Sequence, residues 1–248
     1  MEIFSETEIK YLSGLLDADG SLSFNFSGRG LYLEMKLSAA ESIDRNGYVK
    51  TLSDRLGYYS YREFENENHS SAHCWGVSSR RDLGLLIPRL VKHMVIKGAH
   101  WKRLFDVYTE LKGADVRDIR DELKEFSVES RSHAGPVKAK NHPTWAWVAG
   151  YLDGDGSYIH KKYGKRHTVR TCATAHIDDV VGLELLHKAF GGQIKYRDDR
   201  PDIAEWVRAL GKGSTDFAVP FLKKMHKHTK LKKHRIEQIL NFHSTRND

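Results

Sequence analysis

The chain has 248 residues, long enough for one large domain or two small ones with their own cores. Forty per cent of the residues are apolar and 10% aromatic, which excludes a disordered chain, and no apolar run approaches the length of a membrane span. Lys and Arg number 40 against 33 Asp and Glu, and the net charge of +7 suits a polyanionic partner.

That excess is not spread evenly. Residues 1–112 carry 15 basic and 15 acidic side chains, residues 113–142 carry 6 and 6, and residues 143–248 carry 19 and 12. The two cysteines, Cys74 and Cys172, match no metal-ligand spacing, and a reduced, intracellular setting is expected. Met1-Glu2-Ile3-Phe4-Ser5 lacks the character of a signal peptide.

In chain order, the first element is an apolar helical segment running into Asp17-Ala18-Asp19-Gly20. Two alternating strands follow, Ser21 to Phe26 and Tyr32 to Ser38, joined by a turn at Gly28-Arg29-Gly30. Apolar spacing predicts a helix from Ile43 to Leu56, stopped by Gly57. A hairpin then pairs Tyr58 to Phe64 with Ala72 to Val77, and a helical region containing Pro88 and Lys97 closes the half.

Residues 113–142 read as a connection. Its front, Asp115 to Phe126, is charged and helical in pattern, and Ser130 to Pro143 has the Ser, Gly, Pro and Lys of a linker. The pattern then starts again. An apolar helix ends at Asp153-Gly154-Asp155-Gly156, and strands follow over Ser157 to Lys161 and Thr168 to Thr174, with a turn at Gly164-Lys165. Next come a helix from Val180 to Phe190 stopped by Gly191-Gly192, and a hairpin of Gln193 to Arg197 with Ile203 to Ala209. A helical region with Pro220 and Lys232 closes the second half.

The chain is therefore an internal repeat of αββαββα halves, residues 1–112 and 143–248, in an α+β fold. The spacing agrees: Asp19 to Lys97 is 78 residues and Asp155 to Lys232 is 77, and Trp75 and Trp206 hold matching places in the last strands. Gly14 and Gly150, beside Ser13 and Ala149, remove side chains where another backbone could approach. Asp19 and Asp155 each end a helix, where a carboxylate opposes the macrodipole and a divalent cation would offset the cost. Hard oxygen ligands of this kind suit Mg2+, with Mn2+ or Ca2+ as other occupants. No P-loop or dinucleotide-binding fingerprint is present, since Gly211-Lys212-Gly213-Ser214-Thr215 lacks the spacing.

Leu12-Ser13-Gly14-Leu15-Leu16-Asp17-Ala18-Asp19-Gly20 differs from the LAGLIDADG motif only at Ser13 and Leu16, and the second copy keeps Ala149, Gly150, Asp153, Asp155 and Gly156 in register. The chain thus resembles a LAGLIDADG homing endonuclease of the single-chain, double-motif kind. The resemblance implies that the motif helices pack together and bring Asp19 and Asp155 side by side as metal ligands, aided by the carbonyls of Ala18 and Gly154. Asp17 and Asp153 are expected to cap or orient the motif helices. The resemblance aligns Lys97 and Lys232 with the family's active-site lysine, with Lys230 and Lys233 as alternatives for the second. Many members place a polar side chain at the end of the second strand. Here that region reads Ala39-Ala40-Glu41 and Ala175-His176, so Glu41, His176 or a water network is left to serve.

The resemblance further implies a monomer whose two sheets form a saddle on double-stranded DNA and cut both strands, leaving short 3′ overhangs. Strand alternation supplies the DNA-facing candidates: Ser23, Asn25, Glu34, Lys36 and Arg62 with Arg29 on the turn, then Lys161, Arg166, Thr168, Arg170, Lys195 and Arg197. Two unlike halves imply an asymmetric target of about twenty base pairs. His226, His228 and His234 sit among lysines in a basic surface suited to phosphate. Two other roles compete on the same fold: a maturase bound to intron RNA, and a DNA-binding regulator that does not cut.

Overall fold

The computed structural model describes residues 3–63, 71–133, 143–163, 166–209 and 215–244. Contacts divide the chain into two compact units. Unit 1 comprises residues 1–9 and 19–138, and unit 2 comprises residues 10–18 and 139–248, so the first helix contributes to both.

Unit 1 runs from the end of α1 (Glu6–Asp19) into β1 (Gly20–Ser27), β2 (Gly30–Ala40), α2 (Tyr48–Arg55), β3 (Tyr58–Arg62), β4 (Ala72–Val77), α3 (Arg80–Val91), α4 (Gly98–Glu110) and α5 (Arg120–His133). The strands form one antiparallel sheet in the order β1-β2-β4-β3. Gly28, at φ 56°, makes the tight β1–β2 turn with Arg29. Strand alternation puts Leu22, Leu33, Met35, Leu37, Trp75 and Val77 on one face, where they are buried with Val49 and Leu52 of α2 and the apolar sides of α3 and α4.

Unit 2 repeats the plan with α6 (Trp145–Gly154), β5 (Gly156–Tyr163), β6 (Arg166–His176), α7 (Val181–Phe190), β7 (Gln193–Tyr196), β8 (Ile203–Ala209), α8 (Thr215–His226) and α9 (Lys233–Ser244). Its sheet order, β5-β6-β8-β7, is the same. Each last-strand tryptophan ties its sheet to the end of the preceding helical segment: Trp75 Nε1 donates to Leu56 O at 2.6 Å, and Trp206 Nε1 to Gly191 O at 2.8 Å.

Several boundaries differ from the sequence expectation. α2 begins at Tyr48 rather than Ile43, because buried Asp44 caps it, accepting from Tyr48 N at 2.6 Å and Val49 N at 3.1 Å. Each closing helical region is two helices, broken at a turn that precedes α4 and α9. In the connection, residues 120–133 form α5, whose Arg120 donates to Gly28 O at 3.1 Å and whose Ser130 hydroxyl meets His100 Nδ1 at 2.7 Å. The expected turn at Gly164-Lys165, the strand end at Phe64, the stretch Gly211-Lys212-Gly213-Ser214 and the rear of the linker lie outside the described residues.

Candidate DNA-cleavage site and nucleic-acid interface

Unit 2 holds both motif helices at their closest point, since residues 10–18 of α1 belong to it. A Cβ on Gly14 would lie 2.0 Å from Trp147 O, and one on Gly150 would lie 2.0 Å from Tyr11 O. Only glycine permits this backbone approach. Hydrogen bonds fix the same contact: Trp147 Nε1 donates to Asp17 Oδ2 at 2.9 Å, and Tyr11 Oη to Asp153 Oδ2 at 2.7 Å.

Asp153 does more than join two helices. It also accepts from the backbone N–H groups of Lys230 at 2.8 Å, Leu231 at 3.0 Å and Lys232 at 3.1 Å. Burial pushes its carboxyl up, against the pull of Tyr11, the Lys230 N–H and the Lys232 charge. The sequence assigned Asp17 and Asp153 a capping or orienting part without naming partners. Those partners lie as far as 142 residues away in the chain and give no local signal.

The motif acids differ in exposure. Asp19, the last residue of α1, is exposed, and Asp155, the C-cap of α6, is half-buried. Beside each turn lies a lysine. Lys97 Nζ donates to Gly20 O at 2.9 Å in unit 1. Lys232 Nζ donates to Gly156 O at 2.5 Å, Gly154 O at 2.7 Å and Leu152 O at 3.1 Å in unit 2. Gly20 and Gly156 each follow their motif acid, so Lys232, rather than Lys230 or Lys233, has the place that Lys97 has.

Among the described residues, no three or more His, Cys, Asp and Glu side chains gather as a metal cluster. Single carboxylates and backbone carbonyls are hard donors, so the turns fit a cation that completes its shell with water and phosphate oxygen, as Mg2+ and Ca2+ do. The Gly154 carbonyl is already an acceptor of the Lys232 ammonium, whereas the Asp155 carboxylate brings charge to that turn.

At the second strand's end, the register matches Ala39 with Ala175 and Ala40 with His176. Glu41 accepts from Tyr61 Oη at 3.0 Å, and exposed His176 pairs with Asp178 at 3.3 Å. Both polar candidates thus have local partners of their own.

The sheet faces away from the helices carry the predicted DNA contacts. In unit 1 the pairs Ser23↔Glu34, Lys36↔Gly76 and Arg62↔Ala72 set Ser23, Asn25, Glu34, Lys36 and Arg62 on one side. Glu34 is the hub there. It accepts from Asn25 Nδ2 at 2.9 Å and from Tyr58 Oη, and pairs with Lys36 Nζ at 2.6 Å. Burial acts to raise its carboxyl, but Lys36, Tyr58 and Asn25 outweigh it and hold it below the usual range. Burial first, then Glu34, pushes the Tyr58 phenol up to about 12. Arg29 on the turn is exposed and lies 3.7 Å from Asp115.

In unit 2, Lys161↔Thr168, Ile159↔Arg170 and Lys195↔Glu205 put Lys161, Thr168, Arg170 and Lys195 on one face. Arg197 extends past β7 and pairs with Asp199 at 2.5 Å. Arg166 stands opposite Tyr163 in the ladder, and its side chain lies outside the described residues. Arg170 occupies the position that Glu34 has in unit 1, so the two faces differ in charge at their centres.

No protein-family model matches the chain, and no curated protein does. Solved structures do. The LAGLIDADG meganuclease I-AabMI bound to uncleaved DNA is 14% identical, over 96% of this chain and 92% of that one, with a TM-score of 0.68. The LAGLIDADG homing endonuclease I-GzeII in complex with its DNA target gives 14%, 96%, 91% and 0.69. I-SmaMI bound to a DNA target in the presence of calcium ions gives 16%, 96%, 92% and 0.66. No helix among the described residues is long and apolar enough to cross a membrane. The double motif and the paired four-stranded sheets together give this chain the fold of the LAGLIDADG homing endonucleases.

Proposed function

We propose that this chain is a site-specific, metal-dependent DNA endonuclease that hydrolyses both strands of an asymmetric target of about twenty base pairs and leaves short 3′ overhangs. One observation carries the reading. In each unit a lysine ammonium donates to the carbonyl of the glycine that follows the motif acid, Lys97 to Gly20 at 2.9 Å and Lys232 to Gly156 at 2.5 Å. A single acid-Gly turn is ordinary punctuation. An acid, a glycine carbonyl and a lysine in the same arrangement twice suit a reaction performed once on each of two strands.

The proposed halves are residues 1–112 and 143–248, joined by 113–142 and acting as a monomer. Asp19 and Asp155, with carbonyl help from Ala18 and Gly154, would hold the cations. Bound Mg2+, or Mn2+ or Ca2+ in its place, supplies charge neutralisation at phosphate and lowers the pKa of water. Lys97 and Lys232 hold positive charge beside the motif turns, where charge develops on the phosphate oxygens. Asp17 and Asp153 set the helix ends that carry Asp19 and Asp155. The polar sheet faces position and read the duplex, and the Glu34 hub fixes Asn25 and Lys36 before DNA arrives.

The test is cleavage of intron-free duplex from the gene's own insertion locus, with Mg2+ and with chelator, for wild type and Asp19→Asn. A metal-dependent double-strand cut that is lost in the variant supports the endonuclease. Tight binding without a cut would turn the reading to a regulator. Neither would turn it to intron RNA and the maturase role.

A further inference from the structure

Seven of the nineteen Lys and Arg in residues 143–248 lie between Lys223 and Arg235, a stretch with three histidines and no acid. Within it Met225, Thr229, Leu231 and Lys232 are buried, the flanking Phe221, Leu222 and Ile236 face the core, and Lys232 is spent on the motif carbonyls. Lys227 and Lys230 are exposed and Lys233 is half-exposed, spaced by three along the turn between α8 and α9. The acid that follows the stretch, Glu237, meets His226 at 2.9 Å rather than a lysine.

This turn is not a loose basic loop. His228 N and Thr229 N both donate to Met225 O at 2.9 Å. Asp153 then takes the next three N–H groups, those of Lys230, Leu231 and Lys232. The backbone that bears the cations is therefore fastened to the residue two before Asp155. Burial, then the charges of Lys230 and Lys227, hold the His228 imidazole below its ordinary value.

The matching turn of unit 1 has the same backbone bonds, His93 N and Met94 N to Leu90 O, but another chemistry. Lys92, also exposed, keeps the place of Lys227, but Val95 stands where Lys230 does and Gly98 where Lys233 does, and His93 is paired with Glu6 at 2.7 Å. Two of the three lysines are thus particular to unit 2.

We propose that the α8–α9 turn is a phosphate clamp in which Lys227, Lys230 and Lys233 grip the nucleic-acid backbone beside the Asp155 motif turn, whereas the matching turn of unit 1 keeps one lysine of the three, Lys92. It rests on the DNA reading above and adds to it a second, sequence-independent surface on the helical side of unit 2. Its asymmetry gives the two halves unequal hold on the backbone.

Non-specific binding is electrostatic, so the test needs no target sequence. The probe is a mixed-sequence duplex of about thirty base pairs, titrated over a range of salt. In Lys227→Gln/Lys230→Gln/Lys233→Gln, the slope of log K against log salt should become shallower by about 2 to 3, with binding weakened alike for all sequences. Lys230→Gln alone should change it by about 1. A control of equal charge loss, Lys50→Gln/Lys102→Gln/Lys124→Gln, removes lysines already paired with Asp54, Asp106 and Asp121, and should leave the slope nearly unchanged. Melting temperature confirms that each variant is folded. An unchanged slope in the clamp variants, or an equal change in the control, would overturn the clamp while the DNA reading stands. A wild type that binds no duplex at low salt would overturn both.

Discussion

Tyr11 Oη donates to Asp153 Oδ2 at 2.7 Å inside unit 2, so one carboxylate ties the first motif helix, the second motif helix and the Lys232 turn together. Asp153→Asn keeps the shape but offers one acceptor where two oxygens receive four donors. Leaving buried N–H groups unmatched should cost about 2 to 4 kcal/mol. Tyr11→Phe removes one charge-assisted bond and should cost about 1 to 2 kcal/mol. Urea unfolding of both variants checks this, and a Tyr11→Phe variant as stable as wild type would refute it.

The glycine contact predicts opposite signs for one kind of substitution. Gly150→Ala puts a methyl 2.0 Å from Tyr11 O, with backbone on both sides, and should destabilise by about 3 kcal/mol or more. Gly84→Ala lies in the exposed middle of α3, where the added methyl meets nothing within 4 Å. It should stabilise by roughly 0.5 to 1 kcal/mol through helix propensity. Thermal melts of the two variants should move in opposite directions; a common direction would contradict the packing.

Period-two alternation made the strands legible, because one face of each sheet is buried and the other is not. The two motif glycines were legible because a close backbone approach demands them, whereas Lys97 and Lys232 came from the repeat spacing and the resemblance, with Lys230 and Lys233 left open, since their contacts with Gly20 and Gly156 are long-range. The start of α2 was not. Ile43 fits the apolar spacing of a helix, but Asp44 turns back to cap Tyr48 and Val49. Nor was the break before α4, since Val95-Ile96 continues the apolar pattern through the turn. Glu34 as the centre of three side chains and Asp153 as the anchor of residues 230–232 depend on long-range pairing, which no window of sequence displays.

Glu34 places a negative charge on a face proposed to meet phosphate. Glu34→Gln releases Lys36 and removes that repulsion, so duplex affinity at low salt should rise roughly fivefold, on the order of 1 kcal/mol. The Tyr58 phenol, pushed up to about 12 by burial and then by Glu34, should fall once the neighbouring carboxylate is gone, while burial keeps it above its ordinary value of 10.0. A difference spectrophotometric titration, with Tyr58→Phe as the blank, reads the phenol directly. No movement of the phenol would show that Glu34 has no electrostatic hold on it.

Arg55 gives unit 1 an acid-sensitive fastening. Its guanidinium meets Glu8 Oε1 at 2.6 Å, lies 4.2 Å over the Phe4 ring and donates to Ile3 O. The bond to Arg55 lowers the Glu8 carboxyl from 4.5 to about 2. The unfolded chain therefore takes up the proton first as pH falls, and the stabilisation is complete above pH 4.5 and lost on approach to pH 2. The pair is partly solvated, so its contribution is about 1 to 2 kcal/mol rather than the full value of the shift. Glu8→Gln should lower the urea midpoint at pH 7 and converge with wild type near pH 2. A gap between the two proteins that stays constant across that range would mean the carboxylate charge is not what holds the N-terminal segment to Arg55.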